Sequence, residues 1–207
     1  MQEQVSIRAH FERFPATVKG AFVLRGADRD PHQVQIRSAS VREVGGPPGR
    51  SLDLPPITLD VAPNLDLFVP FEFSITELGS GWYGLECDVA IDGRQETVSP
   101  GRRFTVPWPR ASVRRGTIAV RKTLQVDDGP KVLIDQIDCG ADSSRVLYSA
   151  EKPADLRLTA DGSRVPVLEA AFEDERGRVS AYPLLKTHAR LVIEVRGGRG
   201  PLELPLP

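Results

Sequence analysis

Gly81–Ile91, GWYGLECDVAI, decides the fold: Tyr83, Leu85, Cys87, Val89 and Ile91 are apolar, while Glu86, Asp88 and Asp92 alternate with them. An apolar period of two is the mark of a strand with one face in a core and one in water. The run stops at Asp92-Gly93, a pair suited to the positive backbone angles of a two-residue hairpin turn. Polar residues 94–97 then lead towards a second strand expected at residues 103–106. A hairpin of this kind closes an antiparallel sheet and argues for a β-sandwich, an architecture that hosts many unrelated functions.

Working outward, 207 residues is about twice the length of one common sandwich, so two domains are expected. Apolar residues at 40% and charged residues at 27% exclude a disordered chain and a helical membrane protein. A net charge of -1 gives no global attraction to nucleic acid or an anionic membrane, so any charged partner must be recognised locally. The start, MQEQVSIR, lacks the basic residues and apolar run of a signal peptide, and no apolar run is long enough to span a bilayer. The expected compartment is the cytoplasm, or outside it if a leader or anchor has been removed. Cys87 and Cys139 fall in different expected domains and are read as core thiols, not a disulfide.

Alternation also marks strands at Val5, Ile7, Ala9 and Phe11, at residues 18–24 and at Val34 and Ile36, with turn-rich residues 26–31 between the last two. A meander of antiparallel strands is expected there. Residues 45–51, GGPPGRS, read as an exposed loop, followed by strands at 57–61 and 65–73. Domain one is therefore assigned to residues 1–106. Pro107-Trp108-Pro109-Arg110 reads as the linker, because two prolines stiffen the chain and remove sheet donors. Residues 111–207 form domain two, with strands expected at 116–126, 131–137, 145–149, 155–159, 165–172 and 190–195. Residues 169–175 are compatible with one helical turn, but no long 3.6-residue apolar stripe occurs. The reading is all-β: two antiparallel β-sandwich domains in tandem.

Gly81-Trp82-Tyr83 followed by Cys87 is similar to the penultimate strand of immunoglobulin-like and fibronectin-like domains, where a tyrosine near the strand start ties the corner of the sandwich. The tyrosine stands four residues before the cysteine here, against two in the immunoglobulin pattern, and Cys139 is not expected to supply the antibody-type bridge. In the second half, Lys131 to Ile137, Arg145 to Tyr148, Tyr182 to Leu185 and Leu191 to Val195 resemble the immunoglobulin-like domains in extracytoplasmic parts of some bacterial anti-sigma factors. The resemblance implies immunoglobulin-like topology and carries no catalytic residue with it.

His10, His32 and His188 lack the spacing that would put two of them on one metal, and they read as ordinary polar positions. No nucleophile elbow or phosphate loop occurs, and Gly197-Gly198-Arg199-Gly200 reads as a turn. Asp135, Asp138 and Asp142, with Asp127 and Asp128, are the densest acidic group, but they match no calcium loop. In a regular strand Asp135 and Asp138 would face opposite sides. No cofactor and no metal site is expected. Residues 101–126, by contrast, carry Arg102, Arg103, Arg110, Arg114, Arg115, Arg121 and Lys122 with no Asp or Glu. Such a cluster suits phosphate or an acidic protein surface; the alternative is that these arginines line solvent faces and discourage edge pairing.

The reading is a non-catalytic protein-interaction or scaffold module of a bacterial protein, with Trp82, Trp108, Arg110, Arg114 and Arg115 as candidate contacts, since tryptophan and arginine are enriched at binding hot spots. Two alternatives stay open. One is nucleic-acid or polyanion binding through the same arginines; the other is carbohydrate binding on exposed aromatics, Trp82 or Tyr148.

Overall fold

Strands alone carry the architecture of the computed structural model, which describes residues 4–46, 49–52, 54–126 and 131–207 and contains no helix among them. The chain divides into two compact units, Met1–Val106 and Pro107–Pro207.

In chain order the first unit has β1 (Val5–Arg13), β2 (Thr17–Gly26), β3 (His32–Glu43), β4 (Arg50–Ser51), β5 (Ile57–Val61), β6 (Asp66–Ser74), β7 (Gly81–Ile91), β8 (Arg94–Val98) and β9 (Phe104–Val106). One antiparallel sheet has the order β1-β2-β6. The other runs β4-β3-β7-β8, with β5 also on β3 and β9 also on β7. A simple meander does not form, because β2 pairs with β6 and β3 with β7, so the chain crosses from one sheet to the other and back. The inward residues of both sheets, including Val18, Phe22, Leu24, Ile36 and Leu85, form a single buried cluster. Each large apolar side chain buried in this way contributes about 2 kcal/mol.

β7 has the alternation read from its sequence: Tyr83, Leu85, Cys87, Val89 and Ile91 are buried, whereas Asp88 is exposed. The hairpin partner differs from the sequence reading. Asp92 and Gly93 have φ of 48° and 81°, which is the two-residue turn that pairs Ile91 directly with Arg94, so β8 begins at once. The strand at residues 104–106 pairs instead with the start of β7, Tyr83 opposite Phe104. There the Tyr83 hydroxyl donates to the Gly79 carbonyl at 2.9 Å, and its ring stacks on Phe104. This tie fixes the entry into β7 from the loop four residues upstream.

The second unit contains β10 (Gly116–Leu124), β11 (Val132–Cys139), β12 (Ser144–Ser149), β13 (Leu156–Ala160), β14 (Ser163–Arg164), β15 (Val167–Glu173), β16 (Arg176–Ala181), β17 (Arg190–Val195) and β18 (Leu202–Pro205). Its two antiparallel sheets are ordered β10-β11-β12-β16-β15 and β14-β13-β17-β18, and their inward residues again share one core. Residues 169–175 hold no helical turn: β15 runs to Glu173, and Asp174-Glu175, at φ of 47° and 62°, turns tightly into β16. Glycine is at ease in that left-handed region and glutamate is not. Glu175→Gly is therefore expected to stabilise the second unit by about 1 kcal/mol, read as a raised urea midpoint.

Candidate functional site

The five candidate contacts fall on both units and are not equivalent. Trp82 is half-buried on β7, opposite Thr105 of β9. In the second unit, Trp108 is half-buried with its ring edge-on to Tyr182, 5.2 Å between centroids. Arg110 is exposed on a turn closed by the Ser112 backbone N–H and hydroxyl, both donating to the Pro109 carbonyl. Arg115 is exposed as well.

Arg114 is placed otherwise than as a free surface cation. Its Nη2 donates to the His188 carbonyl at 3.0 Å and reaches that of Lys186 at 3.5 Å, while its Nε is buried without a hydrogen-bond partner. Arg114 N–H also donates to Leu184 O, and Lys186 N–H to Ser112 O. The side chain thus staples residues 112–114 to 184–188, and its role in that strap is structural.

Cations elsewhere in the chain are paired in part. Lys19, Arg25, Arg42, Arg178, Arg190 and Arg196 each lie within 4 Å of a carboxylate. Arg102, Arg110, Arg115, Arg121 and Lys122 are exposed and make neither an ion pair nor a side-chain hydrogen bond among the described residues. Arg121 and Lys122 lie on β10, an edge strand whose pairing with β11 shifts between Ala119 and Lys122, with Arg121 at φ 49°. A bulge with exposed cations on an edge blocks further strand pairing, so these two residues fit edge protection.

The acidic group is resolved by a second bulge. The β11–β12 register shifts between Ile134 and Gln136, and Ile134 and Ile137 are both fully buried, so Asp135 and Gln136 together face outward, on the side of Asp138. The strand is not regular here, and the bulge is what brings Asp135 to the face of Asp138. Both carboxylates are already satisfied. Ser149 Oγ donates to Asp135, and Thr117 Oγ and Gln136 Nε2 donate to Asp138. Among the described residues no group of three His, Cys, Asp or Glu side chains is placed to hold a metal ion; Asp127 and Asp128 lie outside those residues.

Tyr148 is 3% exposed and its hydroxyl accepts the Ala154 N–H at 3.0 Å, so it offers no open ring for a sugar. Cys87 and Cys139 are free and buried, and burial pushes the Cys87 thiol up to about 12. Neither is a poised nucleophile at neutral pH.

Two features escaped the sequence reading. His32 is 5% exposed, with Nδ1 2.7 Å from Asp92 and Nε2 2.7 Å from Asp28. Hydrogen bonds to both carboxylates raise its pKa and lower theirs. The second feature is a groove of about 870 Å³ in the first unit, between β1 and residues 101–105, with arginines on its rim. Its only sequence signal was the cluster of Arg8, Arg13 and Arg102-Arg103, split over two distant segments.

Among the described residues no helix is long and apolar enough to cross a membrane. No family model matches the chain, and no curated protein matches it. Among solved structures it is similar to one described as the crystal structure of the conserved domain protein from Bacillus anthracis, at 8% identity and a TM-score of 0.36, over all of this chain and 89% of that one. A likeness at that level carries no argument about fold family or function.

Proposed function

We propose that the chain is a non-catalytic interaction module of a bacterial protein, made of two immunoglobulin-like β-sandwich domains that bind another protein. The observation that carries this reading is the exposure of Arg110 and Arg115, which make neither an ion pair nor a side-chain hydrogen bond among the described residues, beside the half-buried Trp108. Exposed charges without an internal partner are available to an acidic surface and supply orientation and on-rate. The Tyr83 tie to Gly79 supports the immunoglobulin-like part, since a tyrosine hydroxyl reaching upstream backbone is a device of such sandwiches. The non-catalytic part draws on how the chemistry-bearing side chains are used. His32, Asp92, Asp135, Asp138 and Asp161 hold turns and strands together.

In the second unit the proposed contacts are Trp108, Arg110 and Arg115; Arg114 supports them through its backbone staple. The test is affinity capture from a lysate of the source organism, with and without nuclease, comparing wild type with Arg110→Glu/Arg115→Glu. A nuclease-resistant partner, recovered about tenfold less well by the variant, is expected. A signal removed by nuclease and by moderate salt points to polyanion binding. Equal recovery by both proteins rejects this site.

A further inference from the structure

Several strand edges in this chain carry a device against further pairing. β1 is covered at its centre, where a Cβ at Gly101 would lie 2.7 Å from the Ala9 carbonyl oxygen. β6 has Pro70 in its middle, β18 ends on Pro205, and β10 has its bulge, Arg121 and Lys122. β15, the opposite edge of the sheet that β10 begins, differs. It holds no proline and no cation, and its own bulge sits at its start, between Val167 and Glu169. The turn at Asp174 and Glu175 makes Glu173 and Arg176 a hydrogen-bonded pair, so Ala171 and Glu173 exchange bonds with β16. The N–H and C=O of Ala170 and Phe172 therefore point away from β16, where no strand pairs among the described residues. Glu169, Ala170 and Ala171 are exposed in succession, so both faces of the strand stand in water there and the edge between them is open. Charge on this edge is of one sign: residues 167–175 hold Glu169, Glu173, Asp174 and Glu175 and no Lys or Arg. Glu169 stands 3.6 Å from Arg178, whereas Glu173, Asp174 and Glu175 make no ion pair among the described residues.

We propose that the β15 edge binds a basic extended peptide segment of a partner protein, which adds as a strand alongside residues 169–173. Its backbone exchanges hydrogen bonds with Ala170 and Phe172, the small side chains of Ala170 and Ala171 let it approach, and its Lys or Arg side chains meet Glu169 and Glu173. This surface uses other residues than Arg110 and Arg115 and is opposite to them in sign, so it goes beyond the proposed function and stands or falls apart from it. A second copy of this chain is disfavoured as the occupant. An antiparallel pair of β15 strands centred on Ala171 would set Glu169 opposite Glu173, and β10, the basic edge, is bulged. A nucleic acid is repelled by the same carboxylates.

The experiment titrates the full chain by anisotropy into a fluorescent peptide alternating Lys and Val, the same peptide methylated on every interior backbone nitrogen, and a peptide alternating Glu and Val. Ala170→Pro removes the outward N–H and leaves the bonds to β16 in place, so its urea midpoint should stay close to that of the wild type. Glu169→Lys/Glu173→Lys reverses the charge without touching the backbone. The expected result is saturable binding of the Lys peptide, lost on backbone methylation and weakened about tenfold by each variant. Absence of Lys-peptide binding overturns the proposal, as does equal binding of the methylated peptide, equal binding by Ala170→Pro, or preferred binding of the Glu peptide. Self-association of the free protein that Ala170→Pro abolishes would put a second copy on this edge and overturn the peptide as its occupant.

Discussion

Gly177→Ala is expected to destabilise the second unit by about 3 kcal/mol, the upper part of the usual range for an overfilled core. Gly177 on β16 is buried opposite Tyr148 on β12, and the Tyr148 ring lies flat over it. A Cβ added at Gly177 would come within 1.9 Å of Cζ and 2.1 Å of Cε1. The ring has no easy retreat. It is 3% exposed, stacks beside Phe172, and is pinned by the Ala154 N–H on its hydroxyl. Gly84 on β7 makes the control: nothing stands within 4 Å of its Cβ position, so Gly84→Ala is expected to be neutral or slightly stabilising in the first unit. Urea unfolding followed by Trp108 fluorescence in a Trp82→Phe background reports the second unit, since each unit holds one tryptophan. Tyr148→Ala should cost about 3–5 kcal/mol by itself. In that background Gly177→Ala should cost little, so the two effects should fall well short of additive. A Gly177→Ala cost below about 1 kcal/mol, or full additivity, would mean that the ring moves aside freely.

The same pair shows where a sequence stops being legible. β7 can be read because each inward position carries its own apolar side chain, and the Asp92-Gly93 turn states its geometry in two residues. β16, RGRVSA, escapes because one of its inward positions is Gly177, whose place in the core is filled by a tyrosine from another strand. Sheet membership escapes for a related reason. Nothing local in β2 says that it pairs with β6, some forty residues on, and not with β3. Bulges defeat parity arguments, as the extra residue at Asp135 does by turning two carboxylates to one face. Of the candidate contacts, exposure of Arg110 follows from its turn setting, and Arg115 is exposed just ahead of β10. The burial of Arg114 against the Lys186 and His188 carbonyls depends on a segment seventy residues away, which spacing cannot encode. The β1 groove was hidden in the same way, its arginines split between two ends of the first unit.

The first unit is expected to be most stable between about pH 4 and pH 6.5, with His32 responsible for the alkaline limb. A neutral imidazole has one N–H, yet both ring nitrogens of His32 stand 2.7 Å from a carboxylate oxygen, so the geometry calls for the imidazolium. The bonds from Asp92 and Asp28 raise its folded pKa above 6.5. A raised folded value means that the folded state holds this proton more tightly than the unfolded chain. The stabilisation is therefore complete below about pH 6.5 and is lost as pH climbs through the folded value. The carboxylates behave oppositely. Asp28 and Asp92 are held below 3.8 chiefly by His32, and Asp88 by the Ser38 and Thr97 hydroxyls, so their contribution is present above about pH 4 and lost as pH falls through the folded values. The alkaline limb does not belong to Cys87, whose thiol burial pushes up to about 12, nor to Tyr83, which burial raises above 10. His32→Gln is expected to cost about 1.5 kcal/mol at pH 6, the low end for hydrogen bonds to charged groups, because both carboxylates are nearly half exposed. The cost should shrink as pH climbs through the raised folded value and the wild type loses its imidazolium. Urea midpoints followed by Trp82 fluorescence in a Trp108→Phe background at pH 6 and pH 9 decide the matter. The wild type should fall between the two and the variant should stay nearly flat, whereas an equal fall in both would place the alkaline limb elsewhere. The latch joins the turn-rich loop before β3 to the β7–β8 hairpin, so its release should loosen that end of the sheet first. Faster amide exchange at Gln33, whose N–H donates to Asp92, would show this at high pH in the wild type and at every pH in the variant.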